Sequence, residues 1–101
     1  MQTTELGYLV DWTQWNENIA LAIAAQESLI LTKAHWDFIY FLRRFYEAHQ
    51  VIPPQRLLIQ AMKQEFSAEI ASSSYLQLLF PGGALKQSTK IAGLPKPRHC
   101  L

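Results

Sequence analysis

The chain has 101 residues and a mass of 11.6 kDa, half of it hydrophobic, with three Trp, four Tyr and five Phe. That is one domain with enough apolar bulk for a core, which excludes disorder along its whole length. A net charge of +1 supplies no basic field of the kind that grips nucleic acid unaided. The single cysteine excludes an intrachain disulfide and any zinc site built from several thiolates, and it points to a reduced, cytoplasmic setting.

In chain order, Tyr8 to Val10 has strand character after Gly7, which allows a short N-terminal β-hairpin, and Trp12 and Trp15 read as apolar anchors. Asn16 is an N-cap for a helix to about Glu27, in which Ile19, Ala20, Ile23 and Ala24 recur at helical spacing. The longest apolar run, Ile19 to Ala25, falls far short of the ~20 residues of a membrane span. No basic residue precedes an apolar stretch at the N-terminus, so neither membrane insertion nor export is expected. Thr32 caps a second helix over about Lys33 to His49, where Trp36, Ile39, Tyr40, Leu42 or Arg43, and Tyr46 follow at steps of three and four.

Pro53 and Pro54 break that pattern and open a third helix carrying Leu57, Leu58, Ala61, Met62 and Phe66. Ser72, Ser73 and Ser74 offer caps for a short helix, Tyr75 to Phe80, which Pro81, Gly82 and Gly83 end. A last helix covers Ala84 to Ala92 and stops at Gly93. The expected fold is mainly α: a bundle of about five helices over 1–93, with a flexible C-terminal arm over 94–101.

Pro95 and Pro97 bias the arm to polyproline II, and seven residue steps from Gly93 to Cys100 reach roughly 20 Å. From Lys86 onward the basic residues are Lys86, Lys90, Lys96 and Arg98, with His99 beside them and no acid. Cations near Cys100 favour its thiolate, and a thiol on an exposed arm suits a carrier better than a nucleophile held by a fixed base. Cys100 also reads as an incidental residue of a disordered terminus, and spacing alone does not overturn that reading. It is not a prenylation site, since only Leu101 follows it. His35 and His49 lack ligand-like spacing to His99 and Cys100, so no metal and no cofactor is expected.

The basic residues either complement an acidic groove on a partner or solvate the terminus. Arg56, on the third helix, either contacts the arm or is a plain surface residue. Trp36, Phe45, Tyr46 and Met62 read as core, and His35 as a surface or half-buried residue.

The string LFPGGALKQSTKIAGLPKPRHCL, Leu79 to Leu101, resembles the C-terminus of the DsrC/TusE family of small sulfur-carrier proteins. AHWDFIYFLRRFY at Ala34 to Tyr46 and PPQRLLIQAM at Pro53 to Met62 resemble that family's middle helices. The resemblance implies that Cys100 carries sulfur as a persulfide. Members serving dissimilatory sulfite reductase have a second cysteine eleven positions earlier, where this chain has Thr89, and a hydroxyl excludes two-cysteine chemistry. The single-cysteine, TusE-type members then imply a sulfurtransferase that takes sulfur from a TusBCD-like complex and passes it toward a tRNA 2-thiouridylase, with tRNA met only indirectly. Ala84, where related sequences often show proline, departs from the family pattern and leaves the start of the last helix open. Two other classes remain beside this one: a single-cysteine adaptor or regulator whose arm docks by shape, and a helix-turn-helix DNA-binding module around Pro53 and Pro54, against which stands a third helix with only Arg56 and Lys63 as cations.

Overall fold

The helix starts are written locally. Asn16 stands in extended backbone just before α1 (Glu17–Gln26), and its Oδ1 accepts the Ile19 N–H at 2.9 Å. Ser72 does the same for α4 (Ser73–Leu79), its hydroxyl accepting from Tyr75 N at 3.1 Å. Both side chains satisfy donors that have no partner inside the helix. α3 (Gln55–Met62) opens directly after the two prolines, and α5 (Ala84–Ile91) opens from Gly83 at φ +117°. These elements belong to a computed structural model that describes residues 1–97.

α2 (Lys33–His49) starts differently. Its third residue, His35, reaches back so that Nδ1 accepts the Thr32 N–H at 3.0 Å and lies 2.8 Å from the Thr32 hydroxyl. Nε2 lies 2.6 Å from the Leu79 carbonyl, so the network assigns the ring's proton to Nε2. The expectation of a surface or half-buried His35 is corrected here: the ring is 6% exposed, with Phe80 edge-on at 5.1 Å. Burial is tolerated because both ring nitrogens are bonded, and the ring joins the start of α2 to the end of α4.

α5 lies at the centre, packed against α1, α2 and α4. Ala84, Leu85, Gln87, Ser88, Thr89 and Ile91 are buried, leaving Lys86 exposed and Lys90 half-buried. Ser88 and Thr89 are polar but cost little to bury, since each hydroxyl donates to the Leu85 carbonyl, at 3.2 and 2.8 Å. Around α5 the fully buried side chains are Ile23 of α1, Ile39 and Leu42 of α2, Leu58 and Met62 of α3, Leu76 of α4, and Phe80.

The last helix begins at Ala84 as expected, without a proline, because Gly83 supplies the turn. The third helix ends at Met62, so Phe66 packs on the core from the following loop. The allowed N-terminal hairpin narrows to a single antiparallel bridge, Thr3 to Leu9, closed by Gly7 at φ +89°, with no strand among the described residues. Of the expected arm, residues 94–97 are described. Leu94 is fully buried and Pro97 is buried, while Pro95 and Lys96 are exposed. Arg98, His99 and Cys100 lie outside the described residues. Among the described residues no helix is long and apolar enough to cross a membrane.

Candidate functional site at the root of the C-terminal arm

The chain leaves α5 through a left-handed cap. Gly93, at φ +72°, donates to the Lys90 carbonyl at 3.1 Å, and Leu94 N donates to the Thr89 carbonyl at 3.0 Å. These two bonds satisfy carbonyls that the end of a helix leaves open. The next two are met from far along the chain: the Trp15 indole Nε1–H donates to the Ile91 carbonyl at 2.9 Å, and Arg43 Nη1 donates to the Ala92 carbonyl at 2.7 Å. Ala92 N bonds Ser88 O at 2.9 Å, so every carbonyl from Ser88 to Ala92 has a donor.

Arg43 organises this root. Its Nη2 also donates to the Trp12 carbonyl at 3.0 Å, which ties the 3-10 turn Trp12–Gln14 to the end of α5. The guanidinium carbon lies 4.3 Å from the Trp15 ring centroid and 5.4 Å from that of Trp12, a cation over two indole faces. Burial pulls the Arg43 pKa below its ordinary value, yet an arginine starting so high stays charged. The fit around Gly93 is tight. A Cβ there would lie 2.3 Å from Trp15 Cδ1, closer than any real side-chain contact.

Three of the predicted basic residues gather around Tyr8 at this root. Tyr8 Oη donates to the Lys86 carbonyl at 3.3 Å, and Lys90 Nζ sits 5.3 Å from the Tyr8 ring centroid. Lys90 is also held by Glu27, Nζ to Oε2 at 3.4 Å, with both side chains largely covered, so it is part of the scaffold. Gln87 bonds the other oxygen of that carboxylate at 3.2 Å. Lys96 is exposed and lines a groove of about 520 Å³ between the first residues of the arm and the N-terminal turn. Arg56 is exposed in the first turn of α3, and among the described residues no hydrogen bond or ion pair joins it to the arm root. Cys100 and Arg98 fall outside the described residues.

Sequence reasoning did not assign Arg43 and Trp15 to the arm. The available signal was a cation standing inside the apolar stripe of α2, at the step between Ile39 and Tyr46. Thr89, where two-cysteine relatives would carry their extra thiol, is fully buried in α5 and its hydroxyl is committed to the Leu85 carbonyl.

The family model described as DsrC like protein matches residues 1–101. The chain belongs to the DsrC-like family. It is 50% identical over 101 residues to the sulfurtransferase TusE homolog of Haemophilus influenzae, covering all of this chain and 93% of that protein. It is 46% identical over 99 residues to sulfurtransferase TusE of Pectobacterium atrosepticum, covering 98% and 91%. Among solved structures it is similar to DsrC of Allochromatium vinosum, with a TM-score of 0.88 and 42% identity over 98% of this chain and 88% of that one. The oxidized γ-subunit of the dissimilatory sulfite reductase (DsrC) from Archaeoglobus fulgidus gives a TM-score of 0.81 at 36% identity, over 100% and 92%. The mainly helical fold expected from the sequence is therefore the fold of this family.

Proposed function

We propose that this member of the DsrC-like family, a sulfur-relay protein of the sulfurtransferase kind, carries its cargo as a persulfide on Cys100. The reading rests on one observation: full-length identity of 46–50% to sulfurtransferases, in a chain whose single thiol is Cys100. In the transfer, the Cys100 thiolate attacks the terminal sulfur of a donor cysteine persulfide. A new S–S bond forms at Cys100 as the donor's S–S bond breaks, and the donor leaves as a thiolate with the bonding pair. One sulfur atom moves, the proton balance is that of two thiols, and no external oxidant is needed. The reverse step hands the sulfur to an acceptor thiol.

The donor in this reading is a TusBCD-like complex and the acceptor a tRNA 2-thiouridylase, so the product is 2-thiolated wobble uridine in tRNA, made in the cytoplasm. Thr89 supports persulfide over disulfide chemistry, because its buried hydroxyl leaves Cys100 without a second thiol. Lys96, with Arg98 and His99, supplies the positive neighbourhood that favours a thiolate, and Arg56 is a further partner contact on the third helix. The burial of Leu94 and Pro97 supports a first stretch of the arm that is seated on the body.

The test is intact mass after incubating the reduced protein with a cysteine desulfurase, cysteine and the TusBCD-type complex, with Cys100→Ser beside wild type. The expected result is a dithiothreitol-reversible gain of about 32 Da, one sulfur, on wild type alone. Equal gains on both proteins, or none on wild type from an active donor, overturn the carrier reading.

A further inference from the structure

The covalent geometry of the arm limits where a partner can stand. Leu94 is fully buried, Pro97 is buried, and the backbone between Thr89 and Leu94 is bonded at every carbonyl up to Ala92. Three residue steps separate Pro97 from Cys100, at most about 11 Å of extended chain. A partner that exchanges sulfur with Cys100 therefore has to bring its own cysteine to within a short distance of the arm root, and its surface must rest on what surrounds that root.

What lies there is the groove of about 520 Å³ that Pro95 and Lys96 share with the N-terminal turn, its other wall formed by Leu6, Tyr8, Val10 and Trp12. Two of these side chains are apolar and unusually open, Leu6 at 57% and Val10 at 60% exposure. Apolar side chains clustered so openly mark an interaction surface more often than a lone exposed residue does. The polar groups divide by wall, with Glu5 on the turn and Lys96 on the arm.

We infer that this groove is the docking surface for the sulfur-exchanging partner protein, which seats an apolar side chain between Leu6 and Val10 and sets an acidic group against Lys96. The inference rests on the carrier reading above. It gives the N-terminal turn a function of its own: the turn anchors the partner while the short arm delivers the thiol.

The experiment compares wild type, the double variant Leu6→Asp/Val10→Asp, and Lys96→Glu, with far-UV circular dichroism confirming the fold of each. Sulfur loading of Cys100 is timed from two donors, the persulfide-charged TusBCD-type complex and the small molecule glutathione persulfide, and iodoacetamide alkylation reads the thiol itself. The expected result is a tenfold or greater loss of loading from the protein donor in the double variant, with loading from the small donor and alkylation unaltered. Lys96→Glu should slow protein-donor loading severalfold, and more so at low salt. Unchanged protein-donor loading in the double variant overturns the inference. So does faster alkylation in the double variant, which would show the groove covered by the chain's own last residues. A wild type that neither donor loads brings down the carrier reading itself, whereas normal loading from glutathione persulfide keeps that reading separate from the fate of the groove.

Discussion

Two helices of this molecule end in the same backbone motif, and only one of them ends in glycine. At the end of α1, Ser28 takes the left-handed conformation at φ 56°, Ser28 N bonds the Ala25 carbonyl at 3.1 Å and Leu29 N bonds the Ala24 carbonyl at 2.9 Å. At the end of α5, Gly93 and Leu94 repeat those two bonds. Ser28 is exposed and tolerates its strain in the open, while Gly93 is buried with the Trp15 ring where a Cβ would stand. The left-handed turn alone does not demand glycine; the indole does. The two ends also differ in what is held from a distance. At α5 it is the backbone carbonyls of Ile91 and Ala92, met by Trp15 and Arg43, whereas at α1 it is the Glu27 side chain, met by Gln87 and Lys90. It is from the end with its backbone pinned that the arm departs. The residues that lead into the arm therefore start from a backbone held on both sides.

The sharpest way to break this comparison is Gly93→Ala. An alanine in the left-handed region costs about 1–2 kcal/mol by itself, and the collision with Trp15 adds to it. We expect a loss of about 3 kcal/mol or more in urea unfolding, seen as a lowered midpoint with the slope unchanged. A midpoint like that of wild type would mean that the indole yields easily and that the root is not tight.

Arg43→Met comes next, since it keeps an apolar stem but deletes both donors to the Ala92 and Trp12 carbonyls and the charge over the indoles. Each stranded buried carbonyl costs about 1–3 kcal/mol, with partial relief from water at this half-buried site, so a loss of about 2 kcal/mol is expected. Arg43→Lys should recover little of it, because one ammonium cannot span both carbonyls in the plane of a fork. Recovery to near wild type by lysine would show that charge alone, not the bidentate geometry, holds the root.

Trp15→Phe is milder. It retains an aromatic face for Gly93 and Arg43 and removes the single Nε1–H bond to the Ile91 carbonyl, for an expected cost of about 1 kcal/mol plus the loss of some ring area. Amide exchange at Leu94 reads the same site locally. In wild type the Leu94 N–H should be among the slowly exchanging amides, and Trp15→Phe should accelerate it more than it accelerates Leu29 at the end of α1. Equal acceleration at the two ends would mean global destabilisation rather than loosening of the arm root.

How legible all this was follows from the range of each interaction. The caps at Asn16 and Ser72 lie within three residues of their partners, and the bounds of α1 and α2 could be read almost to the residue. The arm root could not, because its bonds join residues 49 and 76 positions apart, Arg43 to Ala92 and Trp15 to Ile91. Sequence pattern saw Trp15 as apolar mass and Arg43 as one option in a helical stripe, and neither description contains an indole N–H or a guanidinium fork. His35 was misjudged for the same reason: its partner, the Leu79 carbonyl, is 44 residues away. Lys90 counted as one of several arm cations until Glu27, 63 residues earlier, claimed it.

The smallest effect tests the opposite end of the comparison. Ser28→Gly relieves the left-handed strain, worth about 1–2 kcal/mol, and gives back about 0.5–1 kcal/mol through the greater freedom of glycine in the unfolded chain. The net should lie between zero and about 1.5 kcal/mol of stabilisation. Gly93→Ala and Ser28→Gly are thus swaps at equivalent positions of one motif with opposite expected signs. If Ser28→Gly instead destabilises by a few kcal/mol, the serine hydroxyl or β-carbon contributes something at the end of α1 that backbone conformation does not explain. The contrast between an open cap and one closed by an indole would then have to be redrawn around that side chain.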